Sequence, residues 1–477
     1  MELFAQIAAP VSYWPFGILA IGMVFVVVMI AVLRIHAFIS LMLAAALVGF
    51  LSGKLPGSPE TSSLIKALDL PMVEFGATAG KIAWVIALAS IIGICLMESG
   101  AADRIVRQIM RVLGEHRAPW ALLISGFILG IPVFFDTVFF LMVPLAMALA
   151  LRLGKNYLLL VMAICSGAAV THHLVPPTPG PLFMVEALGL NLGSAIVVGI
   201  VIGLPPAIIA VLAARKLDLK MNLPVRESPG ISMDDLKQIA SKSDDELPPF
   251  WLSILPVALP VVLIAAASFF GAFGGRELLG GAYRWVEFLG NKYLAMFLGT
   301  VIALWLLARQ KKMSLEALGE AMGPPLSTAG IIILITAAGG AFGTMIKHAG
   351  VGESIQALSS QIGLSYILLA FLVASVMKIA QGSGTVAMIT TSGMMAAVLA
   401  DGTALPYHPI YIYLAIGFGS TVFSWMNDSG FWVVCKLSGF TEKETLRSWT
   451  LILALIGVVG LIEVLIVSKV FPMPLAN

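Results

Sequence analysis

Long apolar runs and short polar breaks alternate along the chain. Runs near the length of one bilayer crossing fall at about 17–33, 38–53, 82–98, 192–214, 250–270, 293–308, 326–346 and 449–469. Each predicts a helix across a membrane. Two more runs, 157–170 continued by 181–189 and 409–424 continued by 431–436, are interrupted by polar, helix-breaking residues. Two others come as pairs, 120–135 with 137–150 and 365–379 with 385–400, each split by Gly, Pro, Asp, Ser or Thr. Residues 130–144, GIPVFFDTVFFLMVP, show the problem such a split poses. Asp136 stands there among phenylalanines, where an unpaired carboxylate is costly.

Composition sharpens the class. The 477 residues are 59% hydrophobic and 11% charged, against about 25% charged in soluble domains. An all-α integral membrane protein is expected. A net charge of +2 without a polybasic block gives no reason to expect nucleic acid. Cys95, Cys165 and Cys435 sit in apolar runs without metal spacing, so they read as core thiols. No metal and no cofactor are expected. No basic stretch precedes the first apolar run, so no cleaved signal peptide is expected.

Basic residues orient the spans. With the N-terminus outside and each broken pair entering and leaving on one side, 19 of the 28 Lys and Arg fall inside and Lys378 lies within the second pair. That parity also fits ordinary helical hairpins. Re-entry is favoured by chemistry: irregular backbone at membrane depth survives only where protein or a water-filled cavity satisfies it. A kinked hairpin is the alternative. The polar stretch 215–249 reads as a cytoplasmic linker. Arg104, Arg107 and Arg111 recur at helical spacing, which predicts an amphipathic helix on anionic lipid.

The order of elements recurs on either side of the linker. The segment 96–105 resembles 345–355, Asp136-Thr137-Val138 lies 248 positions before Gly384-Thr385-Val386, and 166–171 resembles 417–422. Five crossings per half place the halves in opposite orientations. The expected divisions are scaffold helices at 1–80, a first inverted repeat at 81–214 with a re-entrant hairpin at 120–150, and the linker. Further scaffold helices follow at 250–312, then a second repeat at 313–477 with a re-entrant hairpin at 365–400. Inverted repeats with broken helices point to a secondary transporter with its substrate near the midplane.

Four stretches carry the candidate chemistry. Asp136 and Thr137, after Gly130-Ile131-Pro132, could hold a proton, take a substrate hydroxyl, or cap the following helix. Gly382, Ser383, Gly384 and Thr385 suit an anion, since small residues expose N–H groups at a helix start. Lys378 could neutralise that anion, pair with Asp136 or Asp428, or snorkel. The stretch 171–181 holds Pro176, Pro177, Pro179 and Pro181, which predicts unwound backbone from Thr171 onward. Adjacent His172 and His173 should point apart, so at most one is expected to face a given site. Asn427, Asp428 and Ser429 mirror that stretch and could read hydroxyls or merely form a turn. The candidate substrate-binding set is Asp136, Thr137, Thr171, His172, Thr178, Lys378, Gly382, Ser383, Gly384, Thr385, Asn427, Asp428 and Ser429. The candidate proton carriers are Asp136, His172, His173 and Asp428.

Together GIPVFFDTVFFLMVPLA, PPTPGP, KIAQGSGTVAMITT and NDSGFW resemble the gluconate permease family (GntP-type), within the ion-transporter superfamily, over nearly the whole chain. The resemblance implies proton-coupled uptake of gluconate or a related sugar acid across a bacterial inner membrane. It also implies a scaffold, a transport domain with two re-entrant hairpins moving as an elevator, and a homodimer. The family's PPHPGP has its histidine where this chain has Thr178, and its SHVNDSGF has one where this chain has Trp425. Both changes bear on which sugar acid is carried. Sodium coupling stays open, since unwound carbonyls and hydroxyls suit that ion. An intramembrane enzyme is the remote alternative: Asp136, Asp428 or the histidines would serve as acid–base groups, but HExxH is absent and no GxGD surrounds either acid.

Overall fold

The computed structural model describes residues 13–53, 55–56, 62–226, 246–272, 274–351, 354, 365–399 and 405–473. Among these, every regular element is a helix. Eight helical segments are long and apolar enough to cross a membrane. The first half contains α1 (Trp14–Val27), α2 (Ala37–Leu51), α3 (Ser63–Glu98), α4 (Ala101–Leu113), α5 (Ala118–Leu129), α6 (Phe135–Leu153), α7 (Tyr157–Leu174), α8 (Pro179–Ala187) and α9 (Leu192–Met221). The second contains α10 (Phe250–Ala272), α11 (Lys292–Lys311), α12 (Gly323–His348), α13 (Tyr366–Gln381), α14 (Gly384–Leu399), α15 (Ile410–Gly419), α16 (Ser429–Leu437) and α17 (Trp449–Val470).

Most predicted runs match these helices within a few residues. The predicted span 82–98 is the exception, because α3 starts at Ser63 and runs 36 residues. Lys66, Asp69, Glu74, Pro71 and two glycines hide the helical signal of its outer part. Its start is fixed by Ser62, whose hydroxyl accepts from the Ile65 N–H at 3.3 Å. The expected linker also begins late. Residues 215–221 continue α9 as helix, and Asn222 ends it in the left-handed region. Residues 227–245 of that linker lie outside the described part. Arg226 is held by a two-pronged pair with Glu444, at 2.7 and 2.9 Å. The predicted arginine-bearing helix is α4, with Ala101, Ala102, Ile105 and Val106 buried. The three cysteines are buried and free.

Three of the four arms in the split pairs are short, and α6, with 19 residues, is long enough to cross. α5 has 12 residues, about 18 Å at 1.5 Å per residue, against about 30 Å of hydrocarbon. α13 and α14 have 16 each. Arg152 near the end of α6 pairs with Glu115 just before α5, at 2.9 Å. The first pair therefore begins and ends at one level.

Contacts recur in a mirrored set. α2 packs on α12 as α11 packs on α3, and α5 packs on α7 as α13 packs on α15. α6 meets α16 as α14 meets α8, and α7 meets α9 as α15 meets α17. α3 and α12 pack on each other, as do α9 and α17. The crossed contacts bring the second arm of each pair against the interrupted helix of the other half.

Candidate functional site

Each break is built locally. α5 closes at Gly130, and α6 begins after Phe134 in extended conformation. Asp136 thus lies in the first turn of α6 and not in the break itself. The capping role is not realised: Phe134 occupies the cap position and no side chain caps the helix. α13 closes on Gly382, whose φ is +85°. A Cβ there would be strained by that φ and would meet the Asn427 carbonyl, so the tight passage into α14 requires glycine. α15 ends at Gly419, and α16 starts after Asp428, whose carboxylate accepts from the Gly430 N–H at 3.0 Å.

The proline-rich stretch corrects an expectation. α7 continues through Leu174, so Thr171, His172 and His173 are helical and the unwound part is only 175–178. The Pro176–Pro177 bond is cis. Proline breaks a helix at and after its own position, and its restriction on earlier residues reaches little further. Both histidines line one cavity, their rings 5.3 Å apart. Successive helical positions turn by about 100°, so two neighbours can flank one space.

That cavity is about 300 Å³. It gathers Asp136, Thr137, His172, His173, Lys378, Ser383, Gly384, Thr385, Asp428 and Ser429 from four stretches distant in sequence. Thr171, Thr178, Gly382 and Asn427 stand behind its wall. The Thr171 hydroxyl donates to Gly167 in its own helix, and Thr178 donates to Val175 at 2.8 Å. Asn427 donates to the Ile379 carbonyl at 2.9 Å, which ties it to the end of α13. Phe134, Phe135, Thr328, Ile332, Trp449 and Leu453 complete the lining and escaped the sequence reading. Thr328 and Ile332 sit in an unbroken apolar helix, which offers no local signal. The widest of the detected cavities, about 580 Å³ between α3, α8, α12 and α14, holds none of the expected residues.

The two acids differ in their partners. Lys378 Nζ lies 2.5 Å from Asp428 Oδ2 and donates to the Gly382 carbonyl at 2.6 Å. Ser424 donates to the same carboxylate oxygen, and Trp449 Nε1 donates to Ser424 Oγ at 2.7 Å. Lys378 is 3% exposed and Asp428 8%, so this is a buried ion pair, with both carboxylate oxygens of Asp428 hydrogen-bonded. Asp136 is exposed to the cavity, and no described residue hydrogen-bonds it. His173 Nδ1 is bonded to the Ala169 carbonyl at 2.7 Å, whereas His172 Nδ1 is buried without a partner. The amide of Gln381 and the Asn427 side-chain oxygen are likewise buried and unmet.

Three helix starts converge on this space. Asp136 and Thr137 are at the start of α6, Gly384 and Thr385 at that of α14, and Ser429 and Gly430 at that of α16. Free N–H groups and the positive ends of helix dipoles favour an anion there. Among the described residues no cluster of His, Cys, Asp and Glu could hold a metal ion.

Comparison with known proteins agrees with this architecture. The family model described as GntP family permease matches residues 14–470. A gluconate permease of Pseudomonas aeruginosa is 32% identical, over 93% of this chain and 95% of that protein. The Gnt-II system L-idonate transporter of Escherichia coli is 31% identical, over 96% and 99%. Among solved structures, the YdaH transporter of Alcanivorax borkumensis superposes with a TM-score of 0.61 at 13% identity, over 92% of this chain and 98% of that one. MtrF of Neisseria gonorrhoeae gives 0.59 at 15%, over 92% and 94%. At that identity the likeness is one of fold. The relatives are permeases and transporters, not enzymes. With its spanning helices, the chain is a multi-pass integral membrane protein of the bacterial inner membrane. It belongs to the GntP family of permeases.

Proposed function

We propose that this permease is a proton-coupled symporter for gluconate or a related small hydroxylated monocarboxylate. The observation that carries the reading is the convergence of three helix starts, with Lys378, on one 300 Å³ cavity. The anion's carboxylate is taken by the N–H groups opening α14 and α16, with Lys378 adding positive charge from its pair. Its hydroxyls meet Thr137, Ser383, Thr385 and Ser429. The gluconate and L-idonate relatives support this substrate class.

Coupling follows from charge. An ionised Asp136 repels a carboxylate entering the same cavity, and a protonated Asp136 does not. Anion and proton therefore bind each other's state of the site more tightly, and that linkage is reciprocal. Asp428 is committed to Lys378, which leaves Asp136 as the acid free to exchange a proton, with His172 and His173 beside it. One proton with a monoanion moves no net charge. A gradient of one pH unit then supports about tenfold accumulation, roughly 1.4 kcal/mol.

The transport cycle is alternating access by an elevator-type domain. The broken pairs are re-entrant hairpins, a reading supported by the brevity of α5 and by the polar breaks facing the cavity. The inverted repeat is supported by the mirrored contacts, and by Gly100 and Gly350, which share a φ of +76° after corresponding helices. The site cavity is lined by early residues of α12 and α17, on the basic side. The larger cavity is lined by late residues of α12 and α14. Close packing of Gly343 on Gly393 lies along that larger cavity, and these two spaces are the inner and outer ways to one site. A homodimer is the assembly we infer for this cycle.

Uptake into reconstituted proteoliposomes, with a panel of sugar acids and imposed gradients, tests this. A pH gradient should drive accumulation of gluconate or a close relative. Accumulation driven by sodium alone would transfer the coupling to that ion, and no transport of any hydroxylated monocarboxylate would end the reading.

A further inference from the structure

A second cavity, of about 360 Å³, lies away from the site, between the start of α5, the turn before α7 and the end of α9. His116, Trp120, Lys155, Arg215 and Asp218 are among its lining residues. Asp218 is the acid in this wall; its carboxylate accepts from the Leu159 N–H at the start of α7, at 3.2 Å, and offsets one of the two cations beside it. Arg152 nearby is paired with Glu115. Lys155 and Arg215 are exposed, and among the described residues neither has a carboxylate partner. The pocket is therefore positive, with a fork-shaped guanidinium and a point-charge ammonium together. That donor set suits a phosphate oxyanion.

The helix carrying Arg215 indicates what the phosphate is attached to. Val197, Val201, Leu204, Ile208, Leu212 and Leu219 are all exposed apolar side chains of α9. Their spacing of three and four places them on one stripe, and Arg215 falls on it, between Leu212 and Leu219. The stripe is a lipid-facing surface that leads into the basic pocket. Trp120 supplies an amphipathic ring of the kind that settles at headgroup level.

We propose that this pocket seats the headgroup of an anionic phospholipid, with its phosphodiester on Lys155 and Arg215 and its acyl chains along the α9 stripe. Basic pockets between spanning helices on the cytoplasmic side bind such headgroups. The seat belongs to α5, α7 and α9, and α7 carries His172 and His173, so the lipid holds the element that builds one wall of the transport site.

Native mass spectrometry of the purified protein, with phosphatidylglycerol, phosphatidylcholine or inorganic phosphate added, tests the seat. The parent should retain phosphatidylglycerol in preference to phosphatidylcholine. The double variant Lys155→Gln, Arg215→Gln should bind phosphatidylglycerol about thirtyfold more weakly, from the usual contribution of two basic residues near an anionic surface. Lys216→Gln, one position on and off the stripe, should bind as the parent does. The charge-keeping variant Lys155→Arg, Arg215→Lys should retain binding, which separates loss of charge from loss of fold. Equal retention of the two lipids by the parent, or unchanged binding in the double variant, would overturn the proposal. So would full competition by inorganic phosphate, which would make the pocket a site for free anions.

Discussion

The two halves each place one acid beside a break in the membrane, and they use it in opposite ways. In the second half Asp428 is buried, ion-paired to Lys378 and bonded by Ser424 and the Gly430 N–H. In the first half Asp136 opens onto the cavity with no hydrogen-bond or ion-pair partner among the described residues. At the spacing of 248 positions that relates the similar stretches, Gly384 stands where Asp136 does, and Gly130, at the close of α5, stands where Lys378 does. Two halves with a similar order of elements therefore carry unlike chemistry. The paired acid fixes the geometry by joining the α13–α14 passage to the start of α16, and the unpaired acid can change its charge. Only a group with no fixed counter-charge can take and release a proton at little cost to its surroundings.

Breaking the pair should give the largest effect. Lys378→Met keeps the stem and removes the charge, leaving Asp428 buried and uncompensated. A loss of about 3–5 kcal/mol of stability is expected, visible as earlier thermal unfolding of the purified protein. The double variant Lys378→Met, Asp428→Asn removes both charges and should recover most of that loss without recovering transport. A single variant as stable as the parent would show that the pair does not organise the site.

The converse change tests the open acid. Asp136→Asn should leave thermal stability near that of the parent, since no fixed partner is lost. It should abolish accumulation against a gradient while anion binding and downhill exchange persist. Per unit of pH gradient, the accumulation ratio should fall from about ten to about one. If Asp136→Asn still concentrates substrate on a pH gradient, the proton travels on another group, and His172 becomes the next to replace.

Much of this arrangement was legible in the residues. Apolar runs gave the helices, and the mid-run Gly, Pro, Asp and Ser gave the breaks, because breaks at membrane depth need unusual residues. Thr328 and Trp449 were invisible, since they reach the cavity by packing and sit in ordinary helices. The Lys378–Asp428 pair was only one of several options, because residues 50 apart can be joined by the fold alone. The helical placement of His172 and His173 was missed for a local reason. A proline run announces where a helix cannot continue, and it says little about how far the helix has already come. Thr171, Thr178 and Asn427 are not among the residues lining the cavity, since polarity marks both groups that face a cavity and groups that secure a bend.

Asn427 sharpens that last distinction. Its amide donates to Ile379 and Ala380 at the end of α13, and it stands outside the cavity wall. Asn427→Ala should take the side-chain donor from Ala380 and leave Ile379 with Trp425 Nε1 alone, at 3.0 Å, a loss of about 0.5–1.5 kcal/mol. The effect should appear first as lowered stability and then as weaker binding through the displaced α13–α14 passage. Weaker binding with unchanged stability would instead place Asn427 on the substrate.

The smallest effects should come from the positions where the two halves are alike. Thr137 and Thr385 sit in the first turns of α6 and α14 and both line the cavity. Thr→Val at either keeps the shape and removes the hydroxyl. If each reads one substrate hydroxyl, each substitution should weaken gluconate binding by about 0.5–1.5 kcal/mol, or up to about tenfold in Kd. A sugar acid lacking the matching hydroxyl should bind parent and variant equally, because a site left with an unmet donor loses its preference. Titrations of both variants with gluconate and with deoxy analogues supply the readout. Equal losses at the two positions, on different hydroxyls, would mean that the mirrored starts of α6 and α14 grip opposite ends of one molecule. A loss at one position only would extend the asymmetry of the two acids to the hydroxyls beside them.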